Sequence, residues 1–336
     1  MGPAAMTVPD IADRAQMQRL VGAFDQGRLI AIPTETVYGL AAPIDRPELV
    51  ERIFELKERP PDNPLIVHVA SVEQARGCCA RWPALAQTLV ERFWPGPLTL
   101  VLPRSAAISD RITAGQETVA LRMPDHPVAL ALINAADSPV VAPSANLFTR
   151  LSPTSAADVA EVFSPADVLV VEGGRCRVGI ESTIVAVDDA AQTLWWLRPG
   201  QIDQDQLRAL LPTGWHLRAP AAGRRTSPEP LVGPGSMAIH YRPNKSLRVS
   251  IGANEDEVSR LKDQLRDDPS STLVELPVEP GAAARDLYTT LRQADARPGR
   301  FIDLVLPARC LSEAAWEGVI NRLRKSASTW RQGAHA

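Results

Sequence analysis

A chain of 336 residues exceeds one ordinary domain, so two units are expected. With 45 % hydrophobic and 22 % charged residues it reads as a folded globular protein, and its apolar runs are too short to cross a bilayer. A formal net charge of -3 offers no global field for a polyanion, and four cysteines without zinc spacing, behind an N-terminus lacking a signal pattern, point to a reduced, cytoplasmic setting.

Asp10 and the amphipathic stretch "IADRAQMQRLVGAFDQG" predict a first helix over 10–26, followed by a buried strand at "RLIAIP". In "PTETVYGL" (33–40) the hydroxyls of Thr34 and Thr36 alternate onto one side of an extended chain. They either bind a small polar ligand or cap their own backbone. "RPELVERIFELKE" predicts a helix with Pro47 in its first turn, stopped by Pro60. "KERPPDNPL" (57–65) then places Lys57 and Arg59 two residues apart on a non-helical, proline-braced loop at the surface. The pair can grip one anion, or it is a solvated helix end whose cations suit the C-terminal dipole. Glu58, between them, is expected to face away.

The runs "PLIVHVA", "LTLVLP", "ETVALRM", "PVVAPS", "DVLVVEGG", "STIVAVD" and "TLWWLRP" read as strands, with helices near 83–93, 127–136, 154–163 and 203–210. The irregular mixture predicts a twisted, mixed α/β sheet with some antiparallel pairing. His68 in "LIVHV" reads as a core histidine. Arg122 closes a β pattern and needs a partner, either a ligand carboxylate or a protein one. "VAPSANLFTRLSPT" (141–154) supplies Ser144, Asn146, Ser152 and Thr154, donors suited either to phosphate oxygens or to a local turn. "EGGRCRVGIEST" has three glycines before Ser182 and Thr183, which permits close backbone approach to a ligand, without P-loop or Rossmann spacing. Cys176, between two arginines, is a candidate low-pKa thiol without a readable histidine partner. Residues 219–245, rich in Pro, Gly, Ala and Arg, read as a linker. Beyond them, three strands alternating with three helices over 246–336 predict a small parallel three-layer α/β domain.

In order, "PTETVYGL", "KERPPDNPLIVHV", "FWPGPLTLVL", "TVALRMPDHP", "APSAN", "SPT", "GIESTIV" and "LRPGQI" resemble the threonylcarbamoyl-AMP synthase family, the YrdC-type proteins, over roughly 10–212. "GPGSMAIHYRP" is similar to that family's interdomain linker, and the tail to the additional domain of its two-domain members. The resemblance implies a YrdC-like catalytic domain over 1–218, a linker and lid over 219–245, and a C-terminal domain over 246–336. It implies a nucleotidyltransferase that converts L-threonine, bicarbonate or CO2, and ATP into threonylcarbamoyl-AMP and pyrophosphate. Partner proteins would then pass the group to tRNA, with direct RNA contact a further expectation.

Carried over by position, Lys57, Arg59, Ser144 and Asn146 would surround the phosphates and the nascent carbamate. Asn63, Thr118, Ser152 and Arg198 fall on the ATP side, and Tyr241 on a lid over the nucleotide. Thr34 or Thr36, His68, Arg122, Ala142 and Ser182 fall on the threonine side. Mg2+ would accompany ATP without a protein-held metal site. "LFTRL" after Ser-Ala-Asn departs from the family's usual Ser-Gly-type turn, bringing in Phe148 and Arg150. A different class stays open, a non-catalytic RNA-binding module recognised by salt-sensitive RNA binding without ATP turnover. So does a carbamoyltransferase, although the metal-dependent partner domain it needs is not readable here.

Overall fold

The computed structural model describes residues 10, 11, 13–220 and 240–332, so most of the expected linker, 221–239, lies outside the described residues. Helix α1 (Arg14–Asp25) begins later than its pattern predicts, because the carboxylate of Asp13 rather than Asp10 accepts the capping bond from Gln16 N at 3.0 Å. Strands β1 (Leu29–Ile32) and β2 (Gly39–Pro43) form an antiparallel pair around the "PTETVY" turn. Helix α2 (Pro47–Lys57) buries Leu49, Val50, Ile53 and Phe54, the apolar stripe its sequence spacing sets. Then come β3 (Ile66–His68), α3 (Val72–Gly77), α4 (Ala84–Phe93), β4 (Leu98–Pro103), α5 (Asp110–Thr113) and β5 (Thr118–Arg122). They are followed by α6 (Pro127–Ala135), β6 (Val140–Val141), α7 (Ala156–Ala160), β7 (Val168–Val170), β8 (Thr183–Asp188), β9 (Thr193–Arg198), α8 (Gln204–Arg208) and β10 (His216–Arg218).

Among the described residues these strands make one ten-stranded mixed sheet in the order β10-β9-β8-β4-β5-β3-β6-β2-β1-β7. One face carries the main core, in which Leu100, Val67 and Leu121 pack with residues of α1, α2, α4 and α6. The alternate residues point the other way, so Ile66, Val101, Ala120, Ile184 and Ala186 form a second small cluster flanked by Trp195 and Leu197. His68, Thr118 and Arg122 share that second face by strand alternation.

The second unit contains β11 (Ser246–Gly252), α9 (Glu255–Arg266), β12 (Ser271–Val274), α10 (Pro280–Asp295), β13 (Phe301–Pro307), two short 3-10 turns, α11 (Glu317–Ser326) and β14 (Thr329–Gln332). Its sheet is all parallel, β12-β13-β11-β14. The expected final helix over 312–328 is thus shorter and yields to a fourth strand. Leu247, Val249 and Ile251 alternate onto the face covered by Leu287 and Leu291 of α10 and Leu323 of α11.

Val37, Leu151, Val178 and Ile180 of the first unit belong to that same buried cluster, so the two units share a continuous apolar interface. The glycine loop serves this interface. Gly179 has φ +79, and a Cβ there would lie 2.4 Å from Arg285 Cα and 2.5 Å from Arg285 O. The close approach expected toward a ligand is at this glycine an approach to the backbone of α10. Gly179→Ala is therefore expected to destabilise by about 3 kcal/mol, from left-handed backbone cost and overpacking together. Thermal unfolding checks this, with Gly77→Ala, which meets nothing within 4 Å, as the control.

Candidate functional site

Lys57 is the last helical residue of α2, not a member of a surface loop, and is 1 % exposed. Glu58 follows in the left-handed region at φ 52, and Arg59 N returns to Phe54 O at 2.9 Å while Glu58 N returns to Glu55 O at 3.1 Å. That double bond pattern is a Schellman ending, which usually uses glycine; a glutamate there costs about 1–2 kcal/mol. The turn sends Lys57 and Arg59 inward and leaves Glu58 exposed, as its place between the two cations predicts.

Among the described residues no carboxylate neutralises the Lys57 ammonium. Its Nζ donates to Ser144 O at 2.5 Å and Asn146 O at 2.6 Å, which ties α2 to the loop after β6. Burial, and then the neighbouring Arg59, holds this amine well below the ordinary lysine range. Arg59 is fastened by its own loop. Its Nε donates to Asn63 O at 3.2 Å, and its Nη2 to Asn63 Oδ1 and Pro64 O, each at 2.7 Å. Burial pulls its pKa down to about 10. Asn63 thus aims Arg59, while its own Nδ2 is buried without a hydrogen-bond partner among the described residues.

Ser144 lines the cavity beside Arg59. The Asn146 amide instead donates to Leu147 O and Arg150 O, shaping its loop, and leaves Oδ1 buried and unpartnered among the described residues. The "LFTRL" departure has a structural purpose. Phe148 N caps Lys57 O at 2.8 Å, its ring meets His240 edge-on at 5.8 Å, and Arg150 Nη1 donates to Asn244 Oδ1 at 2.8 Å. Thr149 O accepts from Arg242 N at 2.8 Å. Both Thr149 and Tyr241 have positive φ, 68 and 61, so strained backbone faces strained backbone where this loop holds the end of the linker.

Arg122 finds a protein carboxylate: Nη2 lies 2.8 Å from Glu35 Oε1, and Glu35 Oε2 accepts from Asp125 N at 3.1 Å. Arg122 Nε is buried with no hydrogen-bond partner among the described residues. In register beside it on β3 stands His68, with Nδ1 3.2 Å from Ile66 O. Burial first, and Arg122 second, hold His68 down to about 3, so it is a neutral imidazole at pH 7. Ala142 contributes to the same wall.

Thr34 and Thr36 do face each other at 3.0 Å, but Thr34 Oγ1 donates to Val37 O at 2.6 Å and accepts from the Thr36 and Val37 amides. The self-capping reading describes Thr34, and neither hydroxyl is on the cavity wall. Thr118 opens β5 on the same face as Arg122 but also stands off the cavity wall.

Ser182 Oγ pairs with Thr99 Oγ1 at 2.7 Å, and Arg198 donates to Ser182 O and Oγ, both at 3.1 Å. Ser152 Oγ donates to Glu181 Oε1 at 2.5 Å. Glu181 is the buried hub that pattern reading passed over, although it sits inside the quoted "GIEST". Its Oε2 accepts from Tyr288 OH and Arg322 Nε, each at 3.0 Å, and against burial the charges of Arg322 and Arg198, with the Ser152 hydrogen bond, hold its carboxyl down to about 2. Cys176 is buried, and burial pushes its thiol up to about 12, away from the low-pKa thiolate its flanking arginines suggest.

Arg59, His68, Arg122, Ser144, Glu181, Arg198 and Tyr241 wall a cavity of about 60 Å³, with His240 beside them, while Lys57, Asn63, Asn146, Ser152 and Ser182 stand behind its wall. Pockets for drug-sized ligands usually enclose roughly 300–1,000 Å³. His240 and Tyr241 stand on the cavity wall: Tyr241 is buried, receives a hydrogen bond from Arg198, and lies at 5.8 Å from the Tyr288 ring. Chemically, the place holds buried cations whose carboxylate neighbours are already engaged, together with unspent amide and guanidinium atoms. It is built to receive an anion with several oxygens.

Residues 22–200 match the Sua5/YciO/YrdC family model, described as telomere recombination, and residues 202–328 match the model for the threonylcarbamoyl-AMP synthase C-terminal domain. The chain is similar to the threonylcarbamoyl-AMP synthase of Pyrococcus abyssi, 37 % identical over 320 residues, 91 % of this chain and 92 % of that one. It is similar also to that of Bacillus subtilis, 42 % identical over 248 residues, 74 % of this chain and 68 % of the other. The crystal structure of P. abyssi Sua5 complexed with L-threonine superposes with a TM-score of 0.84 at 33 % identity, covering 95 % of this chain and 96 % of that one.

Proposed function

The chain belongs to the Sua5/YrdC family of threonylcarbamoyl-AMP synthases, and from that premise we propose that it condenses L-threonine, bicarbonate or CO2, and ATP into threonylcarbamoyl-AMP and pyrophosphate. In class it is a nucleotidyltransferase. The observation that carries this reading is one cavity walled by Arg59, Ser144 and Arg198, with Lys57 behind it on the carbonyl of that same Ser144 and, among the described residues, no carboxylate bonded to Lys57 or Arg59.

The threonine amine and bicarbonate form a carbamate with loss of water; the carbamate oxygen attacks the α-phosphorus, and the bond to pyrophosphate breaks. Negative charge grows on the leaving phosphates, where buried cations are worth most. Lys57, Arg59, Ser144 and Asn146 take that position, and Asn63 holds the Arg59 fork. Arg198, Ser152 and Thr118 belong to the nucleotide side. Arg122 offers Nε to the amino-acid carboxylate while Glu35 fixes its other edge, and neutral His68, Ala142 and Ser182 shape the threonine side with Thr34 and Thr36 behind them. Tyr241 is the lid: the segment at 240–241 withdraws for ATP to enter and returns to exclude water.

Mg2+ belongs with the ATP phosphates, neutralising part of their charge. Among the described residues no three His, Cys, Asp or Glu stand together as a metal cage. No helix among the described residues is long and apolar enough to cross a membrane. We place the enzyme in the cytoplasm, its product passed to tRNA-modifying partner proteins.

Incubation with L-threonine, bicarbonate and Mg-ATP is expected to release pyrophosphate only when all three are present. Release independent of threonine and bicarbonate sinks the reading. Salt-sensitive RNA binding without turnover would replace it by a binding module.

A further inference from the structure

Helix α11 reaches across the interface with an arginine that is fully buried. Arg322 Nε donates to Glu181 Oε2 at 3.0 Å, Nη2 to Glu181 O at 2.9 Å, and Nη1 to Pro199 O. Those two carbonyls belong to the residues next to Ser182 and Arg198. One guanidinium of the second unit therefore spans the two segments that carry the Arg198–Ser182 contact of the first. The same helix holds the linker, because Lys325 O accepts from His240 N at 3.1 Å and the Arg322 guanidinium lies 5.6 Å from the Tyr241 ring. Tyr288 of α10 completes the arrangement through its hydroxyl on Glu181.

We propose that Arg322 is a positioning residue for the nucleotide side of the site: by fixing Glu181 and Pro199 it sets Arg198 and the seat of Tyr241, so the C-terminal unit completes the catalytic pocket. A guanidinium with three engaged nitrogens in a dry interface is far from a surface ion pair. Its planar fork fixes two backbone segments at once, which a lysine cannot do. Gly318, one turn earlier on α11, lets the helix come close enough, since a Cβ there would stand 2.6 Å from Gly200 O. The inference rests on the ATP-dependent reading above.

Its test is steady-state pyrophosphate release by the full-length chain, with equilibrium binding of a non-hydrolysable ATP analogue measured in parallel. Arg322→Gln is expected to raise the KM for ATP, and the analogue's Kd, at least ten-fold, while the KM for threonine moves less than three-fold. Tyr288→Phe, which deletes one hydroxyl, is expected to raise the ATP KM about three-fold. Val319→Ala, a buried neighbour on α11, loosens the interface without touching Glu181 and is expected to leave both KM values within two-fold. Equal rises for ATP and threonine, an unchanged ATP KM in either Arg322→Gln or Tyr288→Phe, or the same ATP defect in Val319→Ala would each overturn the proposal. Should Arg322→Gln not fold, Tyr288→Phe decides by the same criteria. Wild-type protein that binds the analogue but releases no threonine-dependent pyrophosphate would sink the functional reading instead, and analogue affinity in the variants would still decide the positioning role.

Discussion

Lys57→Met is expected to reduce threonine- and bicarbonate-dependent pyrophosphate release by about a hundred- to a thousand-fold, the usual cost of deleting one donor aimed at developing charge. It is expected to do so without lowering the urea unfolding midpoint at pH 7. The ammonium is buried with only the Ser144 and Asn146 carbonyls for company, and an uncompensated buried ion costs several kcal/mol. Methionine has similar length and no charge. Ser144 O keeps the Asn146 N–H at 2.9 Å, so one carbonyl at most loses its donor, for about 1–3 kcal/mol. Relief therefore equals or exceeds loss.

Burial, then Arg59, lowers the amine's pKa in the folded state below its unfolded value. The folded state then binds fewer protons than the unfolded state between those two values, and stability rises with pH across that window. The wild type should gain stability on the alkaline side, up to the unfolded value near 10.4, and Lys57→Met should lose that gain. A midpoint that falls sharply at pH 7 would make Lys57 a structural peg, and retained activity would remove it from the chemistry.

The apolar periodicities located most elements because burial on one face leaves a period in the sequence: α2, α4, β4, β5 and β8 stand where their spacing puts them. Strand β2, "GLAAP", is buried along its whole length and opens on glycine, so it has no alternation to read. The cationic pair and Ser-x-Asn were legible as residue types. Their geometry was not, since the burial of Lys57 depends on a left-handed Glu58 and on carbonyls 87 and 89 positions away. Glu181 and Arg322 are separated by 141 residues, and each alone looks like an ordinary charge on a loop or a helix. Cys176 misled in the opposite direction: flanking arginines suggested a thiolate, yet Arg175 and Arg177 reach outward to Asp286 and Asp125 while the thiol is buried.

Acidification should destabilise this protein from about pH 6.5 downward, and its buried histidines contribute to that loss. Burial first, with Arg122 beside one and Lys57 and Arg59 beside the other, brings His68 and His240 each down to about 3. In the unfolded chain both titrate near 6.5. Between those values the unfolded state binds protons that His68 and His240 refuse in the folded state, and burial lowers His126 in the same direction, so stability must fall as pH falls from about 6.5 toward 3. Each pKa unit is worth about 1.4 kcal/mol, which makes the combined loss several kcal/mol even after allowance for water entering the site. Glu181 adds to this only lower down, because its stabilisation is complete above the unfolded value of 4.5 and disappears as pH falls through about 2. Urea midpoints at pH 7.5, 6, 5 and 4 should drop steeply in the wild type, and His68→Gln should reduce the slope between pH 6 and 4. An unchanged slope in that variant would mean the imidazole charges without cost, and so that water already reaches the wall between His68 and Arg122. The neutral, dry threonine side proposed for this site requires the steep result.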